Sequence, residues 1–505
     1  MSSNPAEPEN YSLDEMMDRL QKRDATPEDS GQLVTRADGT QAIKVRKRKR
    51  RSSQPHKEAA KRASRLRAIQ LSSAFVLLVL LVLAGGALIV YVNSPGYRQG
   101  VVAKIDTASG GKVSLQQFRV NPTGSNTAVA DFEWPDGNVL ESLHLNSIRT
   151  KSLVTSLIGK TWAAGDISAL QGSLQLKQPK AGAPLRFQPT SSEGLPVSFE
   201  RLGVAKMDIT VGNANPPALK LQQSEASFYP KSASGDSTLR LARGTLIIPS
   251  WPVLQLDRAL LEFRGPEVVV SNAKILHELD TIGHIDLSGT FNAETMGTEQ
   301  SLAVSMESFS LNGIAGQSLG LLLNGRVDSI DARSTNQLTF SSDDPTGRLS
   351  VALSSSANSS PRMTRFAFLP ILAKILTNHW YNEPVFEDGM TCTLVREKGQ
   401  VRLTELSLTS KTQLRITGDL SAGKDESLSG TLRVGLPDAS LIAAGNEKLK
   451  RTFAESSEGF RWVTIRISGT TDRPTDNFAA LYEGAPDTAT GTNTPSTFEQ
   501  LTAPK

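Results

Sequence analysis

Residues 71–92 (LSSAFVLLVLLVLAGGALIVYV) form an unbroken, mostly apolar run, and no charged residue falls between Arg67 and Arg98. A helix rising 1.5 Å per residue over that length crosses a hydrocarbon core of about 30 Å. A cleaved signal peptide has a shorter apolar core, about 7–15 residues, and a much shorter lead. The pattern therefore predicts an uncleaved transmembrane helix over 68–93. Tyr91 and Tyr97 fall at its far end, where amphipathic rings suit the interface, and Asn93–Gly96 (NSPG) ends it.

From about residue 100 the period changes to two, with turn residues every eight to twelve positions. Val113–Phe118, Leu143–Ile148, Leu239–Ala242, Leu302–Phe309 and Val401–Leu408 alternate, strictly in most places and approximately in others. Such strands bury one face and wet the other. A glycine recurs inside this pattern, in Leu170–Leu174 (LQGSL), Ile285–Phe291 (IDLSGTF), Leu414–Leu420 (LRITGDL), Leu428–Leu432 (LSGTL) and Ile465–Thr471 (IRISGTT). Glycine in a strand predicts a bulge or bend, and its irregular spacing argues against a fixed-period solenoid. The fold class read from this is mainly β: an elongated, curved, groove-like antiparallel sheet with a few short helices. Helices are expected at Ser152–Lys160, Phe366–Trp380, Asp438–Glu455 and Asp476–Tyr482. Phe366–Trp380, with Pro370 in its first turn, reads either as a helix packed on the sheet or as a plug over an apolar groove.

Charge settles orientation. Residues 1–43 carry net −5, residues 44–67 net +11, and the remainder net −2, so the overall +4 comes from one basic block. That block (Lys44–Arg51 with Lys57, Lys61, Arg62, Arg65 and Arg67) abuts the apolar run, which retains the N-terminus in the cytoplasm and gives no sign of nucleic-acid binding. Ser12–Gln21 holds a short amphipathic pattern with a Ser12/Glu15 capping box, read as nascent helix. The expected order is a largely disordered cytoplasmic segment 1–67, the membrane helix 68–93, an extracytoplasmic β-rich region 98–483 (parts 98–178, 179–360 and 361–483) and a disordered tail 484–505.

Several short stretches match enzyme signatures only in part. Gly316–Gly320 (GQSLG) matches the nucleophile elbow around Ser318, but the pattern after it reads as a strand, not a helix. Ser109–Lys112 and Ser271–Lys274 match S-x-x-K without the companion elements of penicillin-binding enzymes. His277 and His284 stand near Glu278 and Asp280 with no H-E-x-x-H, and the lone Cys392 excludes intrachain disulfides and cysteine cages. No phosphate-cradling glycine loop follows a predicted strand. The reading is a non-enzyme with no catalytic, cofactor-binding or metal residues and no cofactor.

The combined pattern resembles the AsmA-like family of diderm bacteria. The likeness lies in Gly111–Leu115 (GKVSL), Phe132–Pro135 (FEWP), Leu143–Ile148 and Ile158–Leu174. It is better in Phe386–Gly389 (FEDG), Gly399–Ser410, Leu414–Leu420 and Leu428–Pro437. The resemblance implies an inner-membrane anchor, a β-rich periplasmic region, and a part in envelope homeostasis by binding or handing on lipid, phospholipid or another envelope lipid. Against the long family members this chain is short and its middle, Pro179–Ser360, matches poorly, so the bridge-like transfer of the large members does not carry over. The rival expectation is a non-enzymatic scaffold binding envelope proteins through sheet edges and the cytoplasmic lead; a hydrolase using Ser318 is the outsider.

Overall fold

The computed structural model describes residues 32–35, 37–44, 73, 75–121, 123–151, 161–178, 185, 197–212, 216–230, 236–278, 280–294, 299–330, 336–341, 344, 346–357 and 359–484. The expected helix Ser152–Lys160, the segment Ser12–Gln21, nearly all of the basic block and the tail beyond Gly484 lie outside the described residues. Two compact units are distinguished, Met1–Ala84 and Gly85–Lys505.

In the first unit, inside the segment expected to lack structure, β1 (Gln32–Thr35) pairs antiparallel with β2 (Gln41–Lys44). Asp38 and Gly39 turn the chain, with Gly39 at φ +82° and Asp38 Oδ1 accepting from Thr40 Oγ1 at 2.8 Å. An Asp-Gly pair between short apolar runs is a hairpin signal in its own right.

The apolar run forms helix α1, whose membrane-length segment is Phe75–Val92; its side chains from Phe75 to Leu83 are exposed. Its end corrects the expectation that strands follow directly. Ser94 caps a second helix, α2 (Pro95–Ser109), with Pro95 at its start and Gly110 closing it at φ +67°.

Beyond α2 the second unit is one large sheet. Its ladder runs from β3 (Lys112–Gln116) and β4 (Arg119–Asn121), both on β5 (Gly124–Glu133), to β6 (Leu140–Lys151), β7 (Trp162–Leu176), β8 (Val197–Val211) and β9 (Leu219–Tyr229). It continues through β10 (Ser237–Ala242) with β11 (Thr245–Ile247), then β12 (Leu254–Arg264), β13 (Glu267–His277), β14 (His284–Asn292), and β15 (Gln300–Glu307) with its continuation β16 (Phe309–Ser310). After two helical turns, α3 (Asn312–Ala315) and α4 (Gln317–Gly320), a small hairpin-like pair of β17 (Leu323–Asn324) with β21 (Arg362–Met363) stands apart. The main ladder resumes with β18 (Arg326–Ser329) and β19 (Gln337–Phe340), each pairing with the β15–β16 strand and with β20 (Arg348–Ser355). It ends through β22 (Met390–Glu397), β23 (Gln400–Ser410), β24 (Leu414–Ala422), β25 (Leu428–Pro437) and β27 (Phe460–Gly469), which carries β26 (Glu455–Ser457) and β28 (Pro474–Asp476) at its outer edge. Among the described residues no pairing joins the first strands to the last, and both terminal edges are cut into short strands.

The expected antiparallel sheet is mixed: β7 and β8 run parallel, Trp162 opposite Val197 and Leu176 opposite Val211. The connection from Lys177 to Pro196 is long enough for the crossover that a parallel pair needs. Alternation is otherwise as read. Leu302, Val304 and Met306 are buried between exposed neighbours. In β23 the frame slips between Leu403 and Leu406, where Glu405 sits at φ +54°, so Val401, Leu403, Leu406 and Leu408 all face inward. Gly418 lies opposite Leu406, just past that bulge, and a Cβ there would fall 2.1 Å from Thr431 O. Gly289 stands likewise opposite Val270, at the register shift in β13.

The inner face is treated differently at its two ends. From β20 to β27 the protein covers it with its own helices. In α5 (Phe368–Ile375) Phe368, Leu369 and Leu372 are fully buried, and Phe453 and Phe478 join them. Asp476 Oδ2 accepts from Phe368 N at 2.7 Å and its Oδ1 from Phe478 N at 3.1 Å, tying the start of α5 to α8 (Phe478–Glu483). The expected helix Phe366–Trp380 is thus shorter and packed on the sheet. Asp438–Glu455 splits at Gly445 (φ +58°) into α6 (Asp438–Ala444) and α7 (Glu447–Thr452).

Candidate functional site: an apolar cavity lined by helix α2

Helix α2 is fixed at both ends. Asn93, between α1 and α2, accepts from Val120 N at 2.8 Å and donates to Val120 O at 3.0 Å, a two-way clasp onto β4. At the other end Asp106 Oδ1 accepts from Val113 N at 2.7 Å and Trp134 Nε1 donates to Ser109 O at 2.9 Å. Between these ties α2 packs on β3 and on β8, with Val101 buried. Tyr97, edge-on to Tyr91 at 5.7 Å, is half-buried, and burial pushes its phenol up to about 12, so it stays protonated.

Bounded by α2 and the inner faces of strands between β3 and β12 is a partly open cavity of about 330 Å³. Its walls are hydrocarbon and aromatic: Leu115 and Phe132 on one side, Leu145 and Leu174 behind, Leu202 and Phe228 opposite. Among the described residues no Asp, Glu, Lys or Arg lines it. Its polar groups are Ser109, Ser125, Thr127, Thr150 and two tryptophan N–H groups. Gly172, from the LQGSL motif, backs the wall: a Cβ there would lie 2.7 Å from Met207 Sδ and 3.0 Å from Leu145 Cδ2. An environment of this kind removes apolar surface from water. A second recess of about 630 Å³ on β14, β15 and β18 is lined largely by Asp286, Ser288, Ser305, Glu307 and Asp328.

The residues weighed from sequence are scattered. In Gly316–Gly320, Gly316 closes the helical turn α3 and the other four residues form α4, so Ser318 follows a helical turn and not a strand, and the strand–turn–helix of an elbow is not formed. Ser109 ends α2 while Lys112 opens β3, and Ser271, on β13, donates to Glu262 Oε1 at 3.1 Å. His277 packs against Phe309, 6.2 Å between rings, whereas His284 faces Asp286 at 3.1 Å. Among the described residues no group of three or more His, Cys, Asp or Glu is placed to hold a metal ion. Cys392 is buried, which pushes its thiol up to about 12. Sequence reading missed α2 and with it the cavity. The signals were present: Ser94-Pro95 as N-cap and first helical residue, then Val101, Val102, Ile105 and Ala108 on one helical face.

No protein-family model, curated protein or solved structure matches the chain.

Proposed function

We propose that the chain is a single-pass inner-membrane protein, N-terminus cytoplasmic and bulk periplasmic, that serves the cell envelope by binding or handing on lipid. The carrying observation is the apolar cavity lined by α2, the helix that directly follows the apolar one, and by strands between β3 and β12, with no charged residue among its described lining. An acyl chain needs no directional chemistry, only dry surface within reach of the bilayer, and burying each CH₂ contributes about 0.8 kcal/mol. The basic block on the other side of α1 sets the orientation by the positive-inside rule. The resemblance to AsmA-like proteins points the same way.

The reading is narrower than a groove running the length of the sheet. The inner face from β20 to β27 is filled by α5 and its aromatic neighbours, so lipid occupies the part nearest α1. The scaffold alternative leaned on sheet edges, and here β4, β26 and β28 each offer only a short run of backbone. The test is native mass spectrometry with lipid extraction on the full chain, purified in detergent from a diderm host. Near-stoichiometric glycerolipid or fatty acid is expected. Lipid-free protein that retains a protein partner would overturn the reading in favour of a scaffold.

A further inference from the structure

The cavity has polar groups at both ends, and those at the end of α2, Ser109 and the Trp134 N–H, are joined to each other by the Trp134 Nε1 to Ser109 O bond. Val120, held by Asn93, pairs with Ser125 in the ladder, and Ser125 pairs with Thr150. Thr127 follows on β5, and Trp162 begins β7 beside Phe118, 6.4 Å between rings. These residues therefore gather at the end tied to α1, whereas Leu140, Leu174 and Phe263 line the cavity elsewhere.

The end tied to α1 has unused donors. Trp162 is 5% exposed, and its buried Nε1 finds no acceptor among the described residues, while Trp134 on the same lining has Ser109 O at 2.9 Å. A buried donor without an acceptor costs about 1–3 kcal/mol, enough to ask what meets it. Ser125 Oγ and Thr150 Oγ1 share a single hydrogen bond of 2.8 Å, and Thr150 Oγ1 also accepts from Ser125 N. Two hydroxyl protons with one bond between them leave one uncommitted.

Resting on the lipid reading above, we infer that this end receives the carbonyl of a fatty-acyl group. Trp162 Nε1 donates to the carbonyl oxygen, and the chain runs away from α1 into the apolar remainder. A neutral ester carbonyl suits the site better than a free carboxylate, because the described lining holds no cation to offset a buried charge. The lipid is thereby held tail inward with its headgroup at the membrane side.

The experiment uses the full chain, delipidated and labelled with ¹⁵N at the tryptophan indoles. It is reconstituted separately with phosphatidylglycerol and with palmitate, each ¹³C-labelled at the acyl carbonyl. Solid-state NMR is expected to show a ¹³C–¹⁵N dipolar contact with the phospholipid. Trp162→Phe, which keeps the ring but not the N–H, is expected to abolish that contact and weaken binding about fivefold, the worth of one neutral hydrogen bond. Thr127→Val serves as the second variant and is expected to weaken binding while leaving the Trp162 contact in place. A contact with palmitate alone would keep the carbonyl assignment and make the free acid its source. Equal binding by wild type and Trp162→Phe, with no dipolar contact in either, would overturn the assignment but leave the cavity as a lipid site. Binding of neither probe by wild type would overturn the lipid reading itself.

Discussion

Asn93 and Val120 are joined in both directions, side-chain amide to backbone, across 27 residues of sequence. Asn93 Nδ2 also donates to Ile89 O at 2.8 Å, so one side chain links the last turn of α1 to the edge of the sheet. An amide carries a donor and an acceptor at fixed spacing, which is what an unpaired stretch of edge backbone requires.

Asn93→Ala should therefore leave Val120 N and O without partners. The expected cost is about 2 kcal/mol, expressed locally. Amide exchange at Val120 and through β4 should quicken, while exchange in β23 and β24 stays unchanged. Uniform change across the sheet would contradict a local clasp.

Several bulges share one device: a residue at positive φ whose N–H is accepted by an aspartate of a neighbouring strand. Glu405 N donates to Asp419 Oδ1 at 3.0 Å, Gln223 N to Asp208 Oδ1 at 2.8 Å, and Ser308 N to Asp328 Oδ1 at 2.6 Å. Asp419→Ala is expected to destabilise by about 1.5–3 kcal/mol, as for a bond to a charged acceptor. Asp419→Asn keeps an acceptor oxygen and should recover part of that loss. Equal destabilisation by both variants in denaturant titrations would show that the charge, not the bond, matters.

Two aspartates should act oppositely on acid stability. Burial raises the Asp280 carboxyl, but paired hydrogen bonds from Arg326 at 2.8 and 3.1 Å, with the Ile282 N–H, outweigh it and hold it below the ordinary value. A depressed folded pKa contributes stability present above the unfolded value and lost as pH falls through the folded one. Asp476 is raised by burial, only partly offset by the Phe478 and Phe368 N–H groups. Its contribution is complete below the unfolded value and is lost as pH rises through the folded one. Thermal midpoints against pH should fall less steeply on the acid side in Asp280→Asn than in wild type. Asp476→Asn should gain stability relative to wild type as pH rises from the acid side towards neutrality.

Cys392 is buried on β22, and its thiol is pushed up to about 12. Iodoacetamide at pH 8 should leave it unmodified in the native protein and alkylate it once denaturant exposes the strand, followed by mass. Rapid native alkylation would mean that β22 opens readily.

Much of this architecture was legible in sequence. An apolar run without charge reads as a membrane-length helix whatever follows it, and period-two alternation marks strands because side chains must alternate faces. The glycines of IDLSGTF and LRITGDL read as marks of a bulge or bend in their own strands, whereas the register shifts lie on the strands opposite them, and a Cβ at Gly418 would fall 2.1 Å from Thr431 O. What escaped has physical causes. Helix α2 carries Gly96, Gly100 and charged residues among its apolar ones, so its face is faint without the Ser94 cap. The parallel pairing of β7 with β8 leaves no mark on the alternation of either strand. The cavity depends on which inward residues meet others, and Leu145, Met207 and Phe228 look no different in sequence from those that α5 covers.

The central claim rests on that cavity holding lipid, and filling it is the most direct measurement. Ala226, buried on β9, lines it, and Ala226→Leu adds side chain into the space without adding a polar group. The full chain and this variant would be purified side by side and their extracted lipid compared with protein mass. The account predicts near-stoichiometric lipid in the wild type and at least a tenfold loss in Ala226→Leu, with an unfolding temperature equal or higher. Equal lipid in both folded proteins would contradict it.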